Sequence, residues 1–247
     1  MHIRIILNEP LYAGNVGSIA RVLKNFGYHD LVLVNPCPID NDAWMMAQHA
    51  YDLLEGARVF DTLGEATAGS NLIIGTTGMR GETTGRHIRM PAYTPERIRE
   101  KLSGTTGEAS VVSIVFGRED HGLTNEELMV CDMLMSIPTS EQYPIMNLSH
   151  AVAVVLYELS DLGIGDILLA DRYDLDLLYE HLGSVLCDLG YPAHKKHKTT
   201  LMLRRIFGRA ELTAREVYTL RGILRLVDYR LQSGQMSRQI NFQTFQQ

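Results

Sequence analysis

The sequence predicts an α/β protein: a parallel sheet covered by helices on both faces, followed by a small all-helical domain. Three observations carry this. Over residues 1–160 short apolar runs alternate with helix-period segments, the pattern of strands buried on both faces. Beyond residue 172 the strand signals stop and only helical periodicity continues. At 247 residues the chain is long enough for one full α/β domain with an appendage. The reading assigns residues 1–160 to the sheet domain, 161–172 to a linker, 173–233 to the helical extension and 234–247 to a mobile tail.

The elements follow in order. Ile3 to Leu7 reads as the first strand. Gly14-Asn15-Val16-Gly17-Ser18 then precedes a helix in which Ile19, Val22, Leu23 and Phe26 fall at i, i+3, i+4 and i+7, and Gly27 ends it. Leu31 to Val34 is a second strand, stopped by Asn35-Pro36. Asn71 to Gly75, Val111 to Phe116 and Met133 to Ile137 are further strands. Thr124 to Glu127 caps a short helix, and the last helix of the domain runs from about Asn147 to Leu159. Gly163-Ile164-Gly165-Asp166, among acidic residues such as Asp161, Asp171, Asp174 and Asp176, reads as the linker. Leu178, Leu182, Val185, Leu186 and Leu189 then make one apolar stripe. Thr213 and Glu216 form a capping box before a helix whose apolar face is Val217, Leu220, Leu224, Val227 and Leu231. The segment from Gly234 is polar and glutamine-rich.

Composition removes several function classes. With 45% hydrophobic and 21% charged residues the chain is not a disordered or fibrous protein. No apolar run reaches the roughly 20 residues of a membrane span, and the N-terminus reads as a strand and not as a signal peptide. Cys37, Cys131 and Cys187 lie far apart with no CxxC pair. They read as buried thiols in a reducing, cytoplasmic compartment. His194 and His197 have no carboxylate or cysteine at ligand spacing, so no metal is expected.

Four segments can carry chemistry. Gly14 to Arg21 places two glycines and Ser18 at a helix start, where backbone N–H groups bind anions or simply begin a helix. Arg21 falls on the face opposite Ile19, Leu23 and Phe26, as a surface charge or a substrate-gripping one. Val111 to Phe116 runs into Gly117-Arg118-Glu119-Asp120-His121-Gly122-Leu123, a charged turn at the carboxyl end of a strand, where open parallel sheets bind ligands. Arg118 and Glu119 straight after a core strand are costly unless paired. Tyr143 to Val152 holds Asn147, a helix cap that can also serve a site. Asn71 to Gly78 ends a strand in small polar residues, a nucleoside pocket or a turn.

Taken together and in this order, the segments resemble the ribose 2′-O branch of the SPOUT RNA methyltransferases. The closest resemblance is to tRNA enzymes acting on the pyrimidine at anticodon-loop position 32. Asn15-Val16-Gly17-Ser18-Ile19-Ala20-Arg21, then Phe116-Gly117-Arg118-Glu119 with Gly122-Leu123, then Ile137-Pro138 with Asn147-Leu148-Ser149 carry it. Leu203 to Ala210 and Leu220 to Leu224 resemble the C-terminal extension of those tRNA enzymes. The resemblance implies a C-terminal trefoil knot holding S-adenosylmethionine. Thr76, Thr77, Gly117, Ile137, Met146 and Asn147 would line that pocket. It implies catalytic roles for Arg21, Glu119 and Asn147, RNA contacts by Asn15, Arg21 and Arg118, and a homodimer. One departure is Ile145, where many relatives carry serine. A ribosomal RNA 2′-O-methyltransferase is the alternative, but such relatives usually carry their extension at the N-terminus.

Charge supports an RNA partner. Between Tyr191 and Leu231 ten lysines and arginines face three acids, a local net charge of +7 in a chain of net charge −6. Lys195, Lys196, Arg204, Arg205, Arg221 and Arg225 are the expected tRNA contacts, with Tyr218, Arg221 and Arg225 forming a stripe at i, i+3 and i+7. A solvated helix face is the plain reading of the same residues. The apolar residues on more than one face of the helix after Asn147 (Leu148, Ala151, Val152, Val154, Val155 and Leu156) call for cover on several sides and fit a dimer interface.

Overall fold

The apolar runs of the first domain assemble, among the described residues, into a seven-stranded sheet in which every neighbouring pair is parallel. The structure is a computed structural model. It describes residues 1–78, 91–103, 110–160, 162 and 169–244, with side chains as far as Ser233. In chain order the strands are β1 (His2–Asn8), β2 (Asp30–Val34), β3 (Arg58–Phe60), β4 (Leu72–Thr76), β5 (Ala92–Tyr93), β6 (Val111–Phe116) and β7 (Met133–Met135). Across the sheet they run β3-β2-β1-β6-β4-β7-β5. β3 and β5 escape sequence reading because they are short edge strands: Arg58 and Val59 are exposed, and β5 has two residues. Main-chain pairing defines them, and no apolar run marks them. β7 stops at Met135, two residues short of the expected Ile137.

Helices cover both faces, the short α3 (Tyr51–Glu55) and α5 (Pro95–Leu102) among them. One face of the sheet packs Ile3, Ile5 and Leu7 against α1 (Ala13–Asn25) and α7 (Leu148–Leu159). The other packs Ile6, Val32 and Ile73 against Leu63 and Ala66 of α4 (Leu63–Thr67) and Leu128 of α6 (Asn125–Val130). Adjacent Ile5 and Ile6 are both fully buried because successive side chains point to opposite, equally covered faces.

The glycines of the first motif lie inside α1 and not before it, because the helix already begins at Ala13. A Cβ on Gly17 would stand 2.0 Å from the carbonyl oxygen of Ala43 in α2 (Asn41–Ala47), so close backbone packing dictates that glycine. A carboxylate also sits just before α1. Glu119 accepts hydrogen bonds from the Leu11 and Tyr12 backbone N–H groups at 2.8 and 3.4 Å.

Under the sheet, Asp30 ties three strands together. It accepts from Arg4 Nε at 3.0 Å and Arg58 Nη2 at 2.7 Å, and its other neighbour is His2 Nε2 at 2.7 Å. Arg4 is buried and also donates to the Ala66 and Ala68 carbonyls. Burial alone would raise the Asp30 carboxyl, but the hydrogen bonds from Arg58, His2 and Arg4 and the Arg4 charge hold it below the usual carboxylate range. A depressed folded-state pKa contributes stability that is present above the unfolded value of about 3.9 and is lost as pH falls through the folded one. Asp30→Asn should therefore cost roughly 3 kcal/mol near neutral pH, where Arg4 is left buried without its counter-charge. The difference from wild type should shrink in acid. Urea titrations at pH 7 and pH 3 test both parts; equal midpoints at pH 7 would refute the clasp.

The chain divides into two compact units, Met1–Leu169 and Ala170–Gln247. The Gly163-to-Asp166 segment read as a linker lies outside the described residues. The second unit holds α8 (Arg172–Asp188), α9 (Ala193–Ala210) and α10 (Ala214–Thr244) around a small core of Leu175, Leu178, Tyr179 and Val217. Thr213 and Glu216 form the expected box: Thr213 N–H donates to Glu216 Oε2 at 2.8 Å, and Glu216 N–H returns to Thr213 Oγ1 at 3.4 Å. Two expectations change. Leu189 follows the end of α8 and is 56% exposed, so it does not share the buried stripe. α10 continues through Gly234 to Thr244, where composition led us to expect a tail. Cys187 is exposed, whereas Cys131 is buried as expected. Among the described residues no helix is long and apolar enough to cross a membrane.

Candidate active site

At the carboxyl ends of β4, β6 and β7 the first unit encloses a cavity of about 350 Å³. Its inner wall is apolar: Phe116, Leu123, Met135, Ile137, Leu148, Ala151 and Val155. Thr76, Thr77 and Thr139 add hydroxyls, and Arg118, Glu119, Asp120 and His121 form a polar side. This is the size and mixture of a small-molecule site, at the strand ends where an open parallel sheet offers one. Leu148, Ala151 and Val155 explain part of the multi-sided apolarity of α7, since the cavity takes one of its faces. Val154 and Tyr157 remain exposed, at 37% and 68%.

Of the pocket residues expected from sequence, Thr76, Thr77, Ile137 and Met146 line the cavity. Gly117 and Asn147 do not. A Cβ on Gly117 would lie 2.3 Å from the Gly122 carbonyl carbon, so this glycine lets the turn fold back on itself, and Arg118 and Gly122 then pair as a bridge. Asn147 caps α7, accepting from Ser149 N at 2.9 Å, and donates from Nδ2 to Asn15 Oδ1 at 3.2 Å. Asn15 in turn donates to Glu119 Oε1 at 2.9 Å. One polar chain therefore joins three motifs that are far apart in sequence and fixes the first turn of α1 beside the cavity. Burial, then the nearby Glu119 and Asp40 carboxylates, push the Cys37 thiol up, so it stays protonated.

Arg118 is less available than expected. Its guanidinium lies 3.0 Å from Glu9 Oε2 and 3.1 Å from Glu127 Oε1, with 14% of the side chain exposed. Glu127 is itself held by Asn8 Nδ2 at 2.8 Å and the Thr124 N–H at 2.7 Å. Glu9 sits at φ +51°, a left-handed conformation unfavourable for a non-glycine residue. Arg118 thus braces the loop, and little of its side chain is open to an RNA. Arg21 is exposed on α1 and is not among the residues lining the cavity.

In the second unit the structure sorts the basic residues. Arg204 bonds Asp176 at 3.3 Å and lies 4.2 Å from the Tyr179 ring centroid. Arg205 is 4% exposed, and Arg221 approaches Asp174 at 4.0 Å with its Nε buried. Arg204 and Arg221 face carboxylates of α8 and Arg205 is buried, so these three do not form an open basic face; of the stripe expected from periodicity, Tyr218 and Arg225 are exposed and Arg221 is not. Arg221 turns toward α8 because the apolar arc of α10 is wide enough to include its position. Lys196 donates to Cys187 Sγ at 2.7 Å, while Lys195, Lys198, Arg225 and Arg230 are exposed.

Sequence reading missed the cavity walls Phe116, Met135, Leu148, Ala151 and Val155, because an apolar residue facing a ligand reads like one facing the core. Asp120 and His121 line the cavity as well; two titratable side chains side by side at a strand end were the available signal.

Comparison with known proteins adds the following. Residues 2–157 match the SpoU rRNA methylase family, and residues 173–238 match the C-terminal domain of the tRNA methyltransferase TrmJ. The chain is 41% identical to the tRNA (cytidine-2′-O-)-methyltransferase TrmJ of Methanocaldococcus jannaschii, covering 88% of this chain and 96% of that protein. It is 38% identical to the tRNA (cytidine/uridine-2′-O-)-methyltransferase TrmJ of Photorhabdus laumondii, covering 92% and 97%. Among solved structures, the crystal structure of TrmJ from Z. mobilis ZM4 superposes with a TM-score of 0.73 at 30% identity, covering 92% of this chain and all of that one.

Proposed function

The chain belongs to the SpoU rRNA methylase family, and from that membership we propose that it transfers a methyl group from S-adenosylmethionine to a ribose 2′-hydroxyl of tRNA. The pyrimidine at anticodon-loop position 32 is the proposed target. The observation that carries this reading is one chain joining a SpoU-type domain, with a cavity at its strand ends, to a basic helical unit matching the TrmJ C-terminal domain. That second match favours tRNA over ribosomal RNA.

The cavity suits the cofactor. Its apolar wall of Phe116, Ile137 and Leu148 fits an adenine, and Thr76, Thr77 and Thr139 offer polar contacts to a ribose. When bound, S-adenosylmethionine supplies an electrophilic methyl group on a sulfonium. The protein's part is to hold the ribose oxygen in line with that methyl and to exclude water. Glu119 and Asn147, through Asn15, fix the start of α1 beside the cavity. Arg21, further along α1, is proposed to grip the adjacent phosphate and steady the developing alkoxide. The trefoil knot belongs to the same proposal, as does a cytoplasmic location, where tRNA is found.

A homodimer is also proposed. Because Arg21 does not line the cavity, a second copy bringing its α1 to the mouth completes the site, and the exposed Val154 and Tyr157 of α7 suit such an interface. Ribose-methylation mapping of tRNA with and without the protein, together with titration calorimetry of S-adenosylmethionine, tests the function. Absence of binding and of methylation would overturn it. Light scattering showing a fully active monomer would overturn the dimer.

A further inference from the structure

We propose that His121 is the catalytic base, its Nε2 taking the proton of the ribose hydroxyl that receives the methyl group. This rests on the methyltransferase reading above and names a residue for a step that reading left without one.

An alcohol that attacks a sulfonium methyl must lose its proton, and among the described residues few groups at this cavity can take it. Arg118 is a guanidinium, which does not release its proton near neutrality, and Glu9 and Glu127 hold it. The Glu119 carboxylate already accepts from Leu11 N, Tyr12 N and Asn15 Nδ2. The Thr76 and Thr139 hydroxyls donate to the Val115 and Pro144 carbonyls and are not bases. Asp120 and His121 remain. Both line the cavity, and their side chains are 56% and 54% exposed, so a macromolecular substrate can reach them.

Their geometry assigns the roles. Asp120 Oδ1 lies 2.6 Å from His121 Nδ1. A carboxylate facing Nδ1 keeps the proton of the neutral ring on that nitrogen, which leaves the lone pair on Nε2. The same carboxylate steadies the imidazolium once Nε2 has taken a second proton, as in other carboxylate–histidine pairs. Among the described residues the charges lining the cavity beside His121 are those of its own loop, Arg118, Glu119 and Asp120; Thr76, Thr139 and Ile145 carry none. In the step itself the oxygen–carbon bond forms as the carbon–sulfur bond breaks. The sulfur keeps the electron pair, the hydroxyl proton passes to Nε2, and the positive charge moves from sulfur to imidazole.

The test uses the full chain with tRNA. His121→Ala and His121→Gln should each lower the single-turnover rate at pH 7 by about a hundredfold, the low end of general-base contributions. Affinities for S-adenosylmethionine and tRNA should change little. Added imidazole should restore part of the His121→Ala rate, a rescue that a merely structural role does not permit. In the cofactor-free protein, diethyl pyrocarbonate should modify His121, read by peptide mass spectrometry, and bound tRNA should protect it. An active wild type whose two His121 variants keep near-normal rates, or an imidazole ring that tRNA leaves unprotected, would overturn the assignment alone. A wild type that neither binds the cofactor nor methylates tRNA would overturn the functional reading and this assignment with it.

Discussion

Arg21→Ala should lower methyl transfer to tRNA by about a hundredfold to a thousandfold, the scale for removing one preorganised group that stabilises developing negative charge. Affinity for S-adenosylmethionine should stay nearly unchanged, because Arg21 does not line the cavity. The side chain is exposed on α1 and makes no ion pair among the described residues, whereas Lys24, one turn on, is tied to Asp52 at 2.6 Å. Arg21 is therefore free to meet a phosphate, and the helix that carries it is anchored at its start by the Glu119, Asn15 and Asn147 chain. Single-turnover rates at saturating cofactor, with calorimetry on the same preparation, separate chemistry from cofactor binding. Arg21→Lys should recover only part of the rate, since an ammonium lacks the bidentate fork. Near wild-type turnover in Arg21→Ala would make it a surface charge and nothing more.

The second large effect is expected on tRNA affinity, and the structure changes which residues should produce it. Lys195 and Lys198 stand near the start of α9, where the first turn holds no acidic residue and no side chain caps the helix. Cations there oppose the helix dipole, an arrangement that favours an incoming polyanion. Arg225 is exposed on α10 near Tyr218, which is 70% exposed. Lys195→Ala, Lys198→Ala and Arg225→Ala combined should weaken tRNA binding at low salt by about tenfold or more. They should also reduce the slope of log affinity against log salt by about 2–3, one unit or slightly less per lost phosphate contact. Arg204→Ala and Arg221→Ala are the contrasting substitutions. Each removes a partner of Asp176 or Asp174, so each should lower the melting temperature of the protein more than it alters the salt slope. A triple variant with unchanged affinity and unchanged slope would show that this surface does not meet RNA.

How these elements read from sequence depended on whether their signal was local. β1, β2, β4 and β6 were legible because each is an apolar run buried on both faces, and the boxes at Thr124 and Thr213 because capping chemistry is written within four residues. The order of the family's motifs was legible for the same reason: short, chemically distinctive segments keep their spacing. Arg21 on the outer face of α1 followed from helical period alone, and it is exposed.

What periodicity left open was decided by packing between distant segments. A glycine at position 17 looks like a helix start until Ala43 of α2 is found against it. Arg118, Arg204, Arg205 and Arg221 look like a polyanion's partners until Glu9, Glu127, Asp176 and Asp174 approach or the core closes around them. Composition determined that the second unit is basic, since charge counts add along a chain. Only the tertiary structure decided which of those charges are free, because a salt bridge requires two groups within a few ångströms and sequence separation does not measure that distance. The same holds at the cavity. Sequence alone set Asp120 beside His121, but the fold turned that pair toward a pocket where Thr76, Arg118, Glu119 and Thr139 already hold hydrogen-bond partners.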